Sequence, residues 1–331
     1  ADYDHSQIGK WHLATRKVGG LANPLQHGFN YTAGPRGTVP SYFKWPKQVN
    51  GELIHQTGYV TSDTTDDAIA RANTMRAPWF LWLAYNAAHE PFHVPPAHLH
   101  HQPNPKNDPA LLYAAMVEAL DSEIGRLLES IKPDILSQTT VIFLGDNGTP
   151  RQTLRPPYSR YQTKGSMTEG GINVPLIVAG PPVPSESQGL VCDALVNTTD
   201  LYATVADIAR VDLSAALPAG HILDSHSIVP LLERPRQGRS IRRFAYSERF
   251  KPNGPPPYDV HLQAIRDRRW KLVRVHQPYS KRSHLDHLYD LSATEDGLDG
   301  RDLCPCPRRL EGEALEAYRR LVKEIEAIEG K

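Results

Sequence analysis

Three short apolar runs limit the folds open to this chain more than any other feature. They are Pro78–Tyr85 (P-W-F-L-W-L-A-Y), Thr139–Leu144 (T-T-V-I-F-L) and Val174–Ala179 (V-P-L-I-V-A). None alternates polar with apolar residues, so each reads as a strand covered on both faces, the situation of a sheet with helices on either side. Helical patterns lie between and behind them. Asp108-Pro109 reads as an N-cap followed by proline at the first helical position. Leu112, Ala115, Ala119, Ile124, Leu127, Leu128 and Ile131 then trace one helical face. Leu201, Val205 and Ile208 repeat the spacing behind Thr199-Asp200. Ile8–Leu13 reads as a short extended segment. Buried strands alternating with amphipathic helices predict an α/β domain with a mostly parallel central sheet flanked by helices.

The pattern changes after Leu232. Glu233–Arg243 is charged and contains Pro and Gly, as a linker would. Beyond it, His261–Arg266 and Trp270–Val275 read as antiparallel neighbours, and Leu288–Leu291 as an added edge. Leu310–Ile328 reads as a helix with Glu316 and Arg320 four apart. The expected organisation is an α/β domain over 1–235 and a smaller α+β subdomain over 236–331. With 331 residues, 40% of them hydrophobic, the chain has material for a large core.

Charge and cysteine use exclude several function classes. Formal net charge is zero, so no overall field draws the molecule to nucleic acid or an anionic membrane, and any anion site must be local. Cys192, Cys304 and Cys306 are odd in number and contain no C-x-x-C, which argues against a disulfide framework and structural zinc. Cys304 and Cys306, one residue apart, read as thiols or one strained bridge. No apolar run reaches membrane-spanning length. The chain opens at Ala1, directly before a motif, and shows no signal peptide.

Ligands of such sheets collect at strand carboxyl ends, and several polar groups fall there. Asp146 and Asn147 follow T-T-V-I-F-L directly, a carboxylate beside a carboxamide oxygen, suited to calcium or magnesium and equally to a turn. Lys10 and His12 stand two apart in I-G-K-W-H-L. On an extended segment they share a face while Trp11 turns inward, which suits an anionic oxygen or a merely solvated edge. His89 opens H-E-P-F-H-V-P-P, where an imidazole on a proline-braced loop serves as general acid, as anion contact or in no chemical role. His98, His100 and His101 read as surface loop before metal tract. Lys164 opens K-G-S-M-T-E-G-G, whose glycines allow close backbone approach and whose lysine supplies a compact charge; a flexible loop is the plainer reading.

In this order the segments resemble the sulfatase family of the alkaline phosphatase superfamily. I-G-K-W-H-L-A is similar to its G-K-W-H-L-G signature, H-E-P-F to its His-x-Pro-Phe segment, and V-E-A-L-D-S-E-I-G-R-L-L to the helix that follows. F-L-G-D-N-G and K-G-S-M-T-E-G-G-I-N-V-P-L-I-V resemble its metal and lysine motifs. T-D-L-Y-A-T-V-A-D-I-A, S-I-V-P-L-L, R-R-W-K-L-V and H-L-Y-D-L resemble later landmarks. The resemblance implies a sulfuric ester hydrolase that binds calcium rather than magnesium, with Asp146 and Asn147 as two metal ligands. It implies that Lys10 and Lys164 bind sulfate and that His12 contacts the hydroxyl of a formylglycine. His89 would contact sulfate and protonate the leaving oxygen. Cations and imidazoles of this kind hold the charge of a sulfate ester while a poor leaving group departs.

The family's formylglycine arises from Cys or Ser in C/S-x-P-x-R upstream of G-K-W-H, and two metal aspartates lie further upstream. Nine residues precede Lys10; none fits, and Asp2 and Asp4 stand too close to G-K-W-H. Cys304-Pro-Cys-Pro-Arg308 fails the motif. The expectation is therefore the larger C-terminal part of a sulfatase, inactive as it stands, short of metal ligands and with exposed apolar sheet edges. The expected partner is a sulfated small molecule or glycan, in the periplasm or outside the cell. The alternatives are a phosphodiesterase or phosphonate monoester hydrolase of the same superfamily, or a non-catalytic sulfoglycan-binding remnant.

Overall fold

The structure, a computed structural model, describes residues 2–15, 17–236, 240–277, 283–294, 298–304 and 309–330. Contacts divide the chain into two compact units, Ala1–Thr139 and Thr140–Lys331, and each is taken by itself.

The first unit is built on five strands: β1 (Asp4–Gly9), β2 (Tyr31–Gly34), β3 (Lys44–Val49), β4 (Glu52–Thr57) and β5 (Trp79–Ala84), in the order β4-β3-β2-β1-β5. β1 runs parallel to both β2 and β5, with Gln7 opposite Thr32 on one side and Trp82 on the other. β3 and β4 form an antiparallel hairpin. Its turn is Asn50-Gly51, both at positive φ (49° and 90°), which glycine and asparagine tolerate where other residues do not. On one face, α1 (Val60–Thr74) and α2 (Pro109–Ser130) close a core of Ile8, Ala33, Ala68, Ala72, Leu127 and Ile131. α2 starts as its sequence predicts: Asp108 accepts from the backbone N–H of Ala110 at 2.9 Å, and Pro109 is the first helical residue. Within the sheet, buried Gln7, Thr32 and Gln48 form a neutral hydrogen-bonded row across three strands.

The extended segment stops earlier than expected. β1 ends at Gly9, whose φ of +91° turns the chain; a Cβ there would lie 2.1 Å from the carbonyl oxygen of Ala84. Residues 10–13 form a loop, so strand alternation does not place Lys10 and His12.

Among its described residues the second unit holds two antiparallel sheets. β6 (Val141–Leu144) and β7 (Leu176–Ala179) pair with each other in opposite directions, Val141 facing Ala179. They were expected to be covered on both faces, yet Phe143 is 37% and Ile177 61% exposed. The parallel part of the fold lies in β2, β1 and β5, because an unbroken apolar run carries no information about the direction of its neighbour. After α3 (Asp200–Ile208) come β8 (Ala245–Lys251), β9 (Val260–Arg266), β10 (Trp270–His276) and β11 (His284–Asp290), ordered β11-β10-β9-β8 and wholly antiparallel. The last helix, α4 (Gly312–Glu329), buries Ala317, Leu321 and Ile325 against Ile265, Leu272, Leu288 and Cys304. The subdomain sheet and terminal helix read from the sequence are present, together with an additional first strand, β8.

Polar ties cross the compositional break at 233–243. Arg242 forms an ion pair with buried Asp200 through two nitrogens, and Asn197 donates to the carbonyl of Tyr246 at 2.7 Å. The charged stretch therefore reads as a linker in composition while its flanks are joined. Cys192 is exposed and Cys304 buried; Cys306, with the rest of C-P-C-P-R, lies outside the described residues. Among the described residues no helix is long and apolar enough to cross a membrane.

Candidate active site

In the first unit the candidate residues follow the carboxyl ends of the parallel strands. Close glycine contacts bring those ends together: a Cβ on Gly34, at φ +133°, would stand 2.5 Å from the carbonyl oxygen of Gly9. The Lys10 amide donates to Ala84 at 2.7 Å, and the Trp11 amide to Pro35 at 3.1 Å. Trp11 turns inward as expected: its indole N–H donates to Asn23 at 2.9 Å and its ring meets Phe29 edge-on. Lys10 and His12 flank this anchor. The His12 ring lies over Gly37, whose missing side chain leaves room for it, the nearest ring atom being 3.5 Å from where a Cβ would be.

Asn86 joins His12's platform to His89. It is 3% exposed and donates to the Gly37 carbonyl at 2.9 Å, while its own carbonyl accepts from the His89 amide at 2.9 Å. The buried Tyr42 hydroxyl bridges the carbonyls of Asn86 (2.7 Å) and His89 (2.8 Å). His89 Nδ1 lies 2.8 Å from the carbonyl of Glu90. A carbonyl only accepts, so the neutral ring carries its proton on Nδ1 and leaves Nε2 as the basic nitrogen. Burial lowers the pKa of nearby His93, whose ring meets Tyr42 at a 34° tilt with centroids 4.2 Å apart, keeping it a neutral packing residue. Asp2 pairs with Arg76 and Asp4 with Arg71, at the start of β1.

In the second unit Asp146 and Asn147 follow β6 and are exposed. Asn147 donates to Asp146 Oδ1 at 2.7 Å through its side-chain nitrogen, so this bond uses neither its own oxygen nor Asp146 Oδ2. The K-G-S-M-T-E-G-G loop presses on the same turn. A Cβ on Gly148 would sit 2.1 Å from the Gly170 carbonyl oxygen, and the Lys164 amide donates to Thr149 at 2.9 Å. The structure thus brings Lys164 beside Asp146-Asn147 on adjoining backbone.

Beneath Lys164's loop lies a buried ion cluster. Glu169 is 2% exposed and pairs with Lys271 at 2.9 Å and Arg266 at 2.6 Å; Lys271 also reaches Asp299 at 2.9 Å. Sequence reasoning did not single out Glu169, Lys271, Tyr42 or Asn86. The Glu of K-G-x-x-x-E-G-G was a signal for the first; Lys271 sits in an apolar strand, and the other two act through bonds made 44 to 49 residues away.

The oxygens of Asp146 and Asn147 fit a hard divalent cation in kind. Calcium takes about six to eight oxygens, so they supply part of a shell. Among the described residues no three of His, Cys, Asp or Glu stand together as a metal group, the His98–His101 stretch included.

A mixed α/β fold with imidazole, ammonium and carboxylate groups on its strand-end loops has the layout of an α/β enzyme. The family model described as Sulfatase matches residues 1–211, and the chain belongs to the sulfatase family. It is 27% identical over 299 residues to the uncharacterized sulfatase YdeN of Escherichia coli (strain K12), covering 80% of this chain and 51% of that protein. It is 24% identical to arylsulfatase J of Mus musculus over 311 residues, 84% of this chain and 50% of that protein. The chain thus spans about half the length of these curated relatives. The crystal structure of Ps i-CgsB superposes with a TM-score of 0.72 at 23% identity, over 98% of this chain and 71% of its own. BT4656, solved in complex with its substrate D-glucosamine-2-N,6-O-disulfate, does so at 0.72 and 17%, over 99% and 79%. These two likenesses concern the fold.

Proposed function

We propose that the chain is the part of a sulfate-ester hydrolase that grips the sulfate group and expels the leaving oxygen. The observation that carries this reading is the family match over 1–211, a range that includes all six candidate residues. Lys10 and Lys164 hold the sulfate oxygens, whose charge persists through S–O cleavage. His89 Nε2, the basic nitrogen of its ring, carries a proton to the departing oxygen. His12 contacts the nucleophile's hydroxyl. Asp146 and Asn147 would give two oxygens to a calcium ion, which would supply polarisation of the sulfate. No C/S-x-P-x-R occurs in the 331 residues, so the nucleophile comes from sequence outside them.

The substrate class we favour is sulfated carbohydrate. One structural neighbour is described with a glucosamine disulfate and another with a neocarrahexaose. The same reading puts the protein in the periplasm or outside the cell, which fractionation of the source organism tests.

The deciding experiment measures sulfate release from an aryl sulfate and a sulfated sugar. The 331-residue chain is compared with a version carrying an upstream segment with matured formylglycine. Turnover is expected only in the second, to be lowered by calcium chelation and strongly reduced by Lys10→Ala, Lys164→Ala or His89→Ala. Preferential release of phosphate from a phosphodiester would replace this reading with the phosphodiesterase alternative. Comparable turnover by the chain alone would refute the outside nucleophile.

A further inference from the structure

Three peptide bonds in this chain join asparagine to glycine: Asn50-Gly51, Asn147-Gly148 and Asn253-Gly254. Where the backbone can turn, this dipeptide reacts with itself. The glycine's backbone nitrogen attacks the asparagine's side-chain carbonyl carbon and a C–N bond forms. The carboxamide C–N bond breaks, and ammonia leaves, its last proton balanced by the one the backbone nitrogen gave up. Water then opens the cyclic imide at either carbonyl and leaves aspartate or isoaspartate. Glycine allows the approach because it has no Cβ and few forbidden torsions. The attack requires a glycine N–H that is not committed elsewhere and a backbone with room to move.

Two of the sites lack both requirements. At Asn147 the Gly148 amide donates to the Gly171 carbonyl at 3.0 Å. Gly148 is also wedged against the next loop: a Cβ there would lie 2.1 Å from the Gly170 carbonyl oxygen and 2.9 Å from that of Gly171. The Asn147 side chain donates to Asp146 Oδ1 at 2.7 Å. At Asn50 the Gly51 amide donates to the side-chain oxygen of Gln48 at 3.2 Å. The Asn50 side-chain oxygen accepts from the Thr32 amide at 3.0 Å.

Asn253 meets both requirements. It lies in the exposed connection between β8 and β9, and a Cβ on Gly254 would find nothing within 4 Å. Among the described residues neither the Asn253 side chain nor the Gly254 amide makes a hydrogen bond.

We infer that Asn253-Gly254 is the site of spontaneous deamidation in this protein, and that the K-G-S-M-T-E-G-G backbone shields the same dipeptide at Asn147. The consequences at the two places differ. Between β8 and β9 a new carboxylate enters an exposed turn, where surface changes of this kind are tolerated. Beside Asp146 the product would be a second carboxylate, or an isoaspartate that runs the chain through its side-chain carbon and re-aims the donor. The contacts on Gly148 thus preserve a neutral carboxamide in the candidate metal pair. That importance rests on the sulfatase reading; the shielding itself does not.

Peptide mapping by mass spectrometry tests this on the 331-residue chain without turnover. The protein is aged at mildly alkaline pH, once folded and once in urea, and conversion is followed at Asn50, Asn147 and Asn253. In urea the rates should be comparable, since each asparagine precedes glycine. In the folded protein Asn253 should keep its urea rate. Asn147 and Asn50 should fall behind it on the order of tenfold, the effect of one retained hydrogen bond. Asn253→Ser, at an exposed position, should remove most of the acidic species that isoelectric focusing resolves in the aged protein. Conversion of Asn147 as fast as Asn253 in the folded protein overturns the shielding. A much slower Asn253 when folded than in urea overturns the site, as do acidic species that survive Asn253→Ser. Either failure leaves the sulfatase reading standing, because no step involves Lys10, His12, His89 or Lys164. Absence of turnover in the reconstituted enzyme would strike that reading and leave the order of deamidation unchanged.

Discussion

The two compact units fix their candidate residues by different physical means. In the first, neutral hydrogen bonds do it: Tyr42 and Asn86 bind backbone carbonyls around His12 and His89, above a sheet threaded by Gln7, Thr32 and Gln48. In the second, buried ions do it: Glu169, Lys271, Arg266 and Asp299 lie under Lys164's loop, and Asp200 with Arg242 fastens the chain around residue 235. Neutral bonds are each modest and respond little to pH or charge. Buried ion pairs contribute little net stability when intact, because desolvation offsets attraction, yet removing one partner strands a charge. The support under Lys164 should therefore be more fragile towards single substitutions and acid than the support around His89.

The widest gap is expected at Lys271. Lys271→Met leaves Glu169 and Asp299 without their shared cation, and breaking such a pair is worth about 3–5 kcal/mol. Urea unfolding should show that loss in the second unit; a change below about 1 kcal/mol would remove the contrast between the units. Next comes Gly148→Ala, which drives a methyl group into the Gly170 carbonyl. Overpacking of that kind costs about 1–3 kcal/mol, and it should also lower Lys164-dependent activity in the reconstituted enzyme. Tyr42→Phe keeps the ring and removes one hydroxyl from two carbonyls, one buried and one half-buried, for a loss of about 1–3 kcal/mol in the first unit. A loss at the upper end of that range would erase the ranking.

Acid sharpens the comparison. Burial pushes Asp200 and Asp286 up, but Arg242 and Arg274 respectively outweigh it and hold both below the usual carboxylate value. Arg269 lowers Asp290 to about 2. Groups held low stabilise the fold at neutral pH and lose that contribution as pH falls from their unfolded value, near 3.8, through the folded one. Asp67 in the first unit has the opposite sign: burial raises its pKa, so protonation in the folded state relieves a penalty as pH falls. Hydrogen exchange between about pH 5 and about pH 2 should show the second unit opening first. The smallest effect is expected at the exposed end of the Arg126–Asp66 pair, where Asp66→Asn should change stability by less than about 1 kcal/mol.

How much was legible follows from how local each signal is. Asp108-Pro109 fixes a helix start by itself, and the structure has it there. Runs such as P-W-F-L-W-L-A-Y announce a strand but not its neighbour, so the antiparallel pairing of β6 with β7 could not be read. A single torsion at Gly9 ended the extended segment before Lys10, although glycine's tolerance of positive φ is written in the residue itself. The six candidate residues stood out through ordered motifs. Tyr42, Asn86 and Lys271 did not, because each acts by a bond spanning 44 to 102 residues and a lone Tyr, Asn or Lys has no local signature.

Glu169 has a consequence for how such a protein changes over time. Its carboxylate secures the backbone next to Lys164 from below, with partners drawn from the C-terminal sheet, and none of those bonds involves the outward side chains of 151–161. Replacements among the outward arginines and tyrosines can then accumulate without unseating the lysine. The placement of that lysine can therefore persist while the solvent-facing part of its loop changes.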